Sequence, residues 1–190
     1  TTLVFLYPDR DDKLESALTH LLACQPNLRQ RHQRLSQDVA QICEPADWTP
    51  ALRQFIQQVS LSEWLIEQSI SPVQHIGYLT GAAAAQYVAR IISLENAVQQ
   101  VIVAETTPEQ TLAGNSELSE ILANLAVTEG TLMLEIGRAG TFSILYHQHA
   151  QWVGQTVFSP MLNTDTPEDI LPLLGTLWPV SYTHLTLPTN

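Results

Sequence analysis

The sequence predicts an α/β domain built on a parallel β-sheet. Short apolar runs that indicate buried strands alternate with longer segments whose apolar residues recur at helical spacing. The first run, Leu3 to Tyr7 (LVFLY), is closed by Pro8. A continuous apolar run of this length is typical of a strand that is covered on both faces. We find no internal repeat and no linker, so we expect one domain over residues 1–180.

The strands and helices follow from turn residues and hydrophobic periodicity. Strands are predicted at 3–7, 73–76, 131–136 and 156–162. Helices are predicted at 11–22, 27–42, 50–68, 82–90, 94–105, 108 onwards, 117–127 and 166–178. Pro26 ends or restarts the first helix, and Ser93 is expected to cap the fifth. Residues 141–151 favour a strand by propensity, but a helix is equally compatible with the preceding turn.

Composition narrows the class of protein. Acidic residues outnumber basic ones by 19 to 8, which gives a formal net charge of −11. Nucleic-acid binding is not expected, because it needs Lys and Arg to replace counterions, and anionic membrane surfaces are disfavoured for the same reason. No apolar run approaches the ~20 residues that span a bilayer. Cys24 and Cys43 are expected to be buried free thiols, which fits a reducing cytoplasm.

The two ends of the sequence carry separate expectations. The chain begins Thr1-Thr2 without an initiator Met, as a part of a longer chain would. Residues 181–190 (SYTHLTLPTN) show no periodicity and follow a natural stop at Trp178-Pro179. We expect these ten residues to be a non-native tail, so His184 is not a candidate functional residue.

The segment Gly77-Tyr78-Leu79-Thr80-Gly81, called the elbow below, carries the main functional signal. An apolar lead-in, two glycines four residues apart and the alanine-rich run that follows predict a sharp turn from a strand into a helix. Turns of this kind present a catalytic nucleophile at their tip. The residue at the tip here is Leu79, which has no nucleophilic atom.

Several motifs, in order and in register, resemble the acyltransferase domain of polyketide and fatty-acid synthases, of the malonyl-transferase type. The family has a Phe/Tyr-Pro-Gly-Gln-Gly turn, a Gly-His-Ser-Leu-Gly-Glu elbow, an ALSLEDAL-like helix, a Val-Glu-Ile-Gly-Pro strand end and a terminal Leu-Trp or similar pair. The matching segments are Phe5–Asp11, Gly77–Ala82, Ile92–Val101 (ISLENAVQQV), Leu134–Arg138 and Leu177-Trp178. The resemblance covers nearly all of Leu3 to Trp178. Within the family, the sequence most resembles the acyltransferase domains of polyunsaturated-fatty-acid and glycolipid-type synthases.

The resemblance implies a three-layer parallel-sheet core, the hydrolase-like subdomain of the acyltransferase. The family also has a small ferredoxin-like subdomain and a catalytic histidine segment. The interval from Glu105 to Gly130 is too short to hold either, so we expect both to be missing.

The resemblance also identifies the positions of the family's catalytic groups. The serine nucleophile corresponds to Leu79, the glutamate of the elbow to Ala82, the oxyanion glutamine to Arg10 and the malonate-binding arginine to Ala104. Groups that act as a unit in catalysis are not replaced one by one. We therefore expect no catalytic residues and no cofactor, but a vestigial site at these four positions with the turn glycines Gly77 and Gly81.

This pattern indicates a catalytically inactive acyltransferase-like module of a type I synthase with a structural or docking role. Its implied partners are the neighbouring ketosynthase, its linker and an acyl carrier protein. The alternative is an acyl-binding or residual acyltransferase domain that retains a pocket. A filled pocket at Leu79 would favour the first function, and an open cleft would favour the second.

Three further motifs carry weaker hypotheses. Thr80 is a candidate displaced nucleophile with His75 as its base, although a histidine at a strand end is more often simply buried. His147 and His149 would share one strand face as a metal pair, but zinc needs three or four ligands, and exposed histidines are the commoner case. The basic cluster, whose members are Arg29, Arg31 and Arg34, predicts a solvated helix face rather than a partner site.

Overall fold

The computed structural model describes residues 2–10, 14–106, 131–137 and 156–158. The strands are β1 (Thr2–Tyr7), β2 (Gln74–Gly77), β3 (Thr131–Glu135) and β4 (Thr156–Phe158). The helices are α1 (Leu14–Cys24), α2 (Pro26–Ala40), α3 (Pro50–Glu67), α4 (Gly81–Val88) and α5 (Leu94–Thr106), with a short 3-10 helix at Pro45–Asp47. These elements match the predicted ones to within three residues at each bound that the described residues include.

The strands form one parallel sheet in the order β2-β1-β3-β4. Tyr7 is in register with Gly77, and Leu6 is in register with Glu135. The carboxyl ends of β1, β2 and β3 therefore meet at one edge, where ligand sites of open parallel sheets are usually found. The prediction of a mixed α/β fold with a parallel sheet is confirmed for the described part of the chain.

The described helices share one hydrophobic core with one face of the sheet. Side chains alternate along β1, so Phe5 and Tyr7 lie on the same face, and Leu134 of β3 joins them in that core. Helical residues such as Leu18 and Val101 belong to the same core. The helices predicted at 108–127 and 166–178, and the ambiguous segment 141–151, lie outside the described residues. The three-layer core and the missing subdomain therefore stay predictions.

Helix α3 connects the core to the carboxyl edge of the sheet. Its N-cap, Thr49, accepts a hydrogen bond from the Leu52 amide at 3.2 Å. The buried Gln58 donates from Nε2 to the carbonyls of Pro8, at 3.0 Å, and of Ile136, at 3.2 Å. These carbonyls follow β1 and β3, so one carboxamide joins two strand ends to the helix. A buried polar side chain is stable in such a position because strand-end carbonyls satisfy it.

An ion-pair network joins α2, α3 and the end of α4. Glu63 accepts from Arg31 at 2.8 Å and from Arg90 at 3.2 Å, and Arg31 also pairs with Glu67. The predicted solvated face of α2 is confirmed for Arg29 and Arg34, which are exposed, whereas Arg31 is half-buried in this network. One member of the basic cluster is thus used within the domain.

Both cysteines are free thiols, as predicted, but the prediction that they are buried is wrong, because neither thiol belongs to the buried core. Cys24 is exposed at the last residue of α1, and Cys43 is half-buried in the turn after α2. Helix ends leave the core, so apolar neighbours at helical spacing do not ensure burial there. Among the described residues, no helix has the length and apolar character needed to cross a membrane.

Substitution of Gln58 tests its role in joining the strand ends. Gln58→Ala leaves two buried carbonyls without their donor, so we expect the free energy of unfolding to fall by about 1–3 kcal/mol. Chemical denaturation measures this loss. Gln68→Ala, at the exposed C-cap of the same helix, is the matched control and should change stability by less than about 0.5 kcal/mol. Equal effects of the two substitutions would contradict this assignment.

Candidate functional site

The elbow forms the predicted turn between β2 and α4. β2 ends at Gly77, α4 begins at Gly81, and Leu79 lies at the tip with a φ of 49°. This left-handed conformation costs a non-glycine residue about 1–2 kcal/mol. The turn is closed by hydrogen bonds from the Gly81 amide to the Tyr78 carbonyl, at 2.9 Å, and from the Ala82 amide to the Leu79 carbonyl, at 3.1 Å. Strained tips of this kind are frequent at functional sites.

Both elbow glycines are required by close backbone contact. A Cβ atom on Gly81 would lie 2.7 Å from the Tyr7 carbonyl carbon, and closer still to the neighbouring carbonyl oxygens. A Cβ atom on Gly77 would lie 2.7 Å from the Ala82 amide nitrogen. Real Cβ atoms essentially never approach other atoms so closely. Helix α4 therefore begins directly against the end of β1.

Asp9 occupies the N-terminus of α4. Its Oδ1 accepts hydrogen bonds from the Thr80 amide at 3.2 Å and from the Thr80 hydroxyl at 2.6 Å. An anion at this position is stabilised by the free amides and the dipole of the helix. In elbow-type hydrolases, the amide of the residue after the nucleophile binds the oxyanion. The corresponding amide here, that of Thr80, is already bound by an internal carboxylate.

The structure does not bring together the alternative pair of Thr80 and His75. The Thr80 hydroxyl is hydrogen-bonded to Asp9, while His75 Nδ1 lies 2.9 Å from the Tyr7 hydroxyl. The His75 ring also packs against the rings of Phe5 and Tyr7, with centroids 5.9 Å away in each case. Burial lowers the pKa of His75 below its usual value. A histidine packed in this way has the structural role that is common at strand ends.

Three of the four vestigial positions line one open groove, called the elbow groove below. It has a volume of about 480 Å³ and lies between the elbow, α4 and α5. Its lining residues are Leu79, Ala82, Ala83, Ile92, Asn96, Gln99, Gln100, Val103 and Ala104. Leu79 is half-buried and leaves the groove open, so the space beside the elbow is not filled by this leucine.

The fourth position, Arg10, is linked to the same region through an ion pair. Its Nη1 lies 3.2 Å from Glu105 Oε1, and Glu105 directly follows Ala104 on α5. The other carboxylate oxygen, Glu105 Oε2, is buried and has no hydrogen-bond partner among the described residues. Arg10 therefore contacts an internal carboxylate.

Sequence reasoning missed two features of the site. The first is the contact between Asp9 and Thr80, which no local pattern indicates because the two residues are 71 positions apart. The second is the face of α5 that lines the groove. The sequence could have indicated it, because residues at intervals of three and four share one helix face, as do Asn96, Gln99, Gln100 and Val103.

The described residues contain no group of three or more metal-ligating side chains. His147 and His149 lie outside the described residues, so the metal hypothesis for that pair stays untested. Comparisons of the chain with protein-family models, with curated proteins and with solved structures found no match.

The close contact at Gly81 predicts the sign of the change in stability that a Gly81→Ala substitution causes. Replacing Gly by Ala in a helix normally stabilises a protein by up to about 1 kcal/mol. We expect Gly81→Ala to lower the free energy of unfolding by about 1–3 kcal/mol instead, because the new methyl group overlaps the end of β1. Thermal and chemical denaturation both report this change.

The matched control for Gly81→Ala is Ala82→Ser, which adds one heavy atom at the next residue, beside the open groove. Its effect should stay within about 0.5 kcal/mol. A Gly81→Ala variant as stable as the unmodified protein would show that α4 shifts easily away from β1.

Proposed function

We propose that this chain is a catalytically inactive acyltransferase-like module of a type I polyketide or fatty-acid synthase, with a structural or docking role. One observation carries the proposal: Leu79 occupies the tip of a well-formed elbow while the Asp9 carboxylate binds the adjacent Thr80 amide. The turn has the shape that presents a nucleophile, but the residue at its tip has no nucleophilic atom.

Each requirement for acyl transfer can be compared with the described residues. Transfer needs a nucleophile, a base that accepts its proton and amide donors for the oxyanion. Leu79 has no nucleophilic atom, and His75 is engaged with Tyr7. A second negative charge at the Thr80 amide would be repelled by the Asp9 carboxylate. These features support an inactive site rather than a single substituted residue.

The proposed docking partners are those that the resemblance implies: the neighbouring ketosynthase with its linker, and an acyl carrier protein. The complex would form in the cytoplasm. A ketosynthase encoded directly upstream in the same reading frame is the expected genomic context. When that ketosynthase and its linker are co-expressed with this chain, the two should elute as one complex from a sizing column. Separate elution at micromolar concentration would contradict docking while leaving the inactive site unaffected.

Acyl binding without transfer is a second candidate function, and one observation favours it. The elbow groove stays open beside Leu79, with a volume of about 480 Å³ that lies within the usual range for ligand pockets. A purely structural module has no need of such a space. The two functions are compatible, because a docking module can also hold an acyl group.

The inactive-site proposal predicts that neither the unmodified protein nor Leu79→Ser is acylated. Replacing the leucine restores a hydroxyl but supplies no base and leaves the Asp9 carboxylate on the Thr80 amide. The test is intact-protein mass spectrometry after incubation with malonyl-CoA or acetyl-CoA, with circular dichroism as the check on folding. Acylation of either protein would show that the site is active and would refute the proposal.

A further inference from the structure

We propose that the elbow groove binds uncharged acyl chains and rejects acyl groups that end in a carboxylate. This inference rests on the second candidate function, acyl binding, and adds the class of ligand. It follows from the chemistry of the groove's two walls and of the ion pair beside it.

The first wall is apolar and is formed by the elbow and the start of α4. Leu79, Ala82 and Ala83 contribute this wall, and Ile92, between α4 and α5, extends it. The second wall is one face of α5. On this face the side chain of Val103 is apolar and 59% exposed to solvent. A methylene chain placed between these walls removes apolar surface from water, which is the driving force for its binding.

The polar side chains that line the groove are all uncharged among the residues that the structure describes. Asn96, Gln99 and Gln100 supply three carboxamides, and none of the nine lining residues is acidic or basic. A carboxamide both donates and accepts hydrogen bonds, so it suits the carbonyl of a thioester or the amide of a linker attached to it. A carboxylate taken into this groove would lose hydration without gaining a cation, which is unfavourable.

The nearby ion pair supplies no available cation either, because its arginine is bound to a carboxylate. Glu105 follows the lining residue Ala104, and its Oε1 is paired with Arg10. Its Oε2 is buried and has no hydrogen-bond partner in the described part of the chain. A ligand carboxylate at this end of the groove would find the nearby Arg10 already paired with Glu105, and would lose hydration without gaining a counter-ion. An uncharged chain end would meet no such penalty.

A matched pair of ligands tests the charge selectivity by isothermal titration calorimetry. The N-acetylcysteamine thioesters of octanoic acid and of suberic acid have eight-carbon acyl chains and differ in the terminal carboxylate. We expect the octanoyl thioester to bind and the suberyl thioester to bind about tenfold more weakly or not at all. Glu105→Gln should strengthen suberyl binding about tenfold and leave octanoyl binding unchanged.

Bulky substitutions locate the site. Ala104→Phe should abolish octanoyl binding by filling the groove, and Val103→Phe, at an exposed position, should weaken it with little risk to folding. Ile91→Phe is the matched control, because Ile91 is 72% exposed and does not line the groove. Circular dichroism confirms that each variant is folded.

The possible outcomes distinguish the charge selectivity, the assignment to the groove and the acyl-binding function from one another. Equal binding of the two thioesters by the unmodified protein would overturn the charge selectivity and leave acyl binding standing. Octanoyl binding that survives both Phe substitutions in folded protein would overturn the assignment to the groove. Binding of neither thioester would overturn this inference and the acyl-binding function together, whereas the inactive-site proposal is judged separately by acylation.

Discussion

The close contact between the start of α4 and the end of β1 is the constraint on which the site depends. Gly81 lies so near the carbonyls of Tyr7 and Pro8 that no side chain fits between them. This contact places the N-terminus of α4 at the carboxyl edge of the sheet and brings Thr80 within reach of Asp9. It also leaves few residues for the reversal after β2, so Leu79 takes a left-handed conformation at the tip. The parallel register of β1 with β2 sets the direction from which the chain enters this turn.

A second property of the site is that its polar groups bind one another. The Thr80 amide and hydroxyl are bound by Asp9, His75 by the Tyr7 hydroxyl and Arg10 by Glu105. In an active centre, groups of these types are kept available for substrate, often at a cost in stability. Internal pairing has the opposite effect, because these groups are already satisfied within the fold. The described residues that line the adjacent groove are uncharged. This distribution links the proposed inactivity of the site to the proposed preference for uncharged chains.

Much of the fold could be predicted locally, and the errors have physical causes. The buried strand Leu3 to Tyr7 and the helix that begins at Pro50 were predicted closely, because continuous apolar runs and helix N-terminal prolines are local signals. The Ser93 cap is also confirmed by its contact with the Asn96 amide at 3.2 Å. Cys24 was wrongly expected to be buried, since periodicity does not show where a helix leaves the core. The order of the strands had no sequence signal at all, because pairing depends on the three-dimensional path of the helices.

By itself, the sequence determined the strands and α-helices of the described residues and the shape of the elbow. Glycines four residues apart permit the tight turn that follows a strand, and the leucine between them excludes a nucleophile at the tip. Only the tertiary structure decided which residues surround that tip. Asp9 and Thr80 are 71 residues apart, and Arg10 and Glu105 are 95 apart, so no local pattern predicts that they pair. The same packing decided that the groove beside Leu79 stays open: the volume of a site depends on how two helices are spaced, which the identity of one residue does not specify.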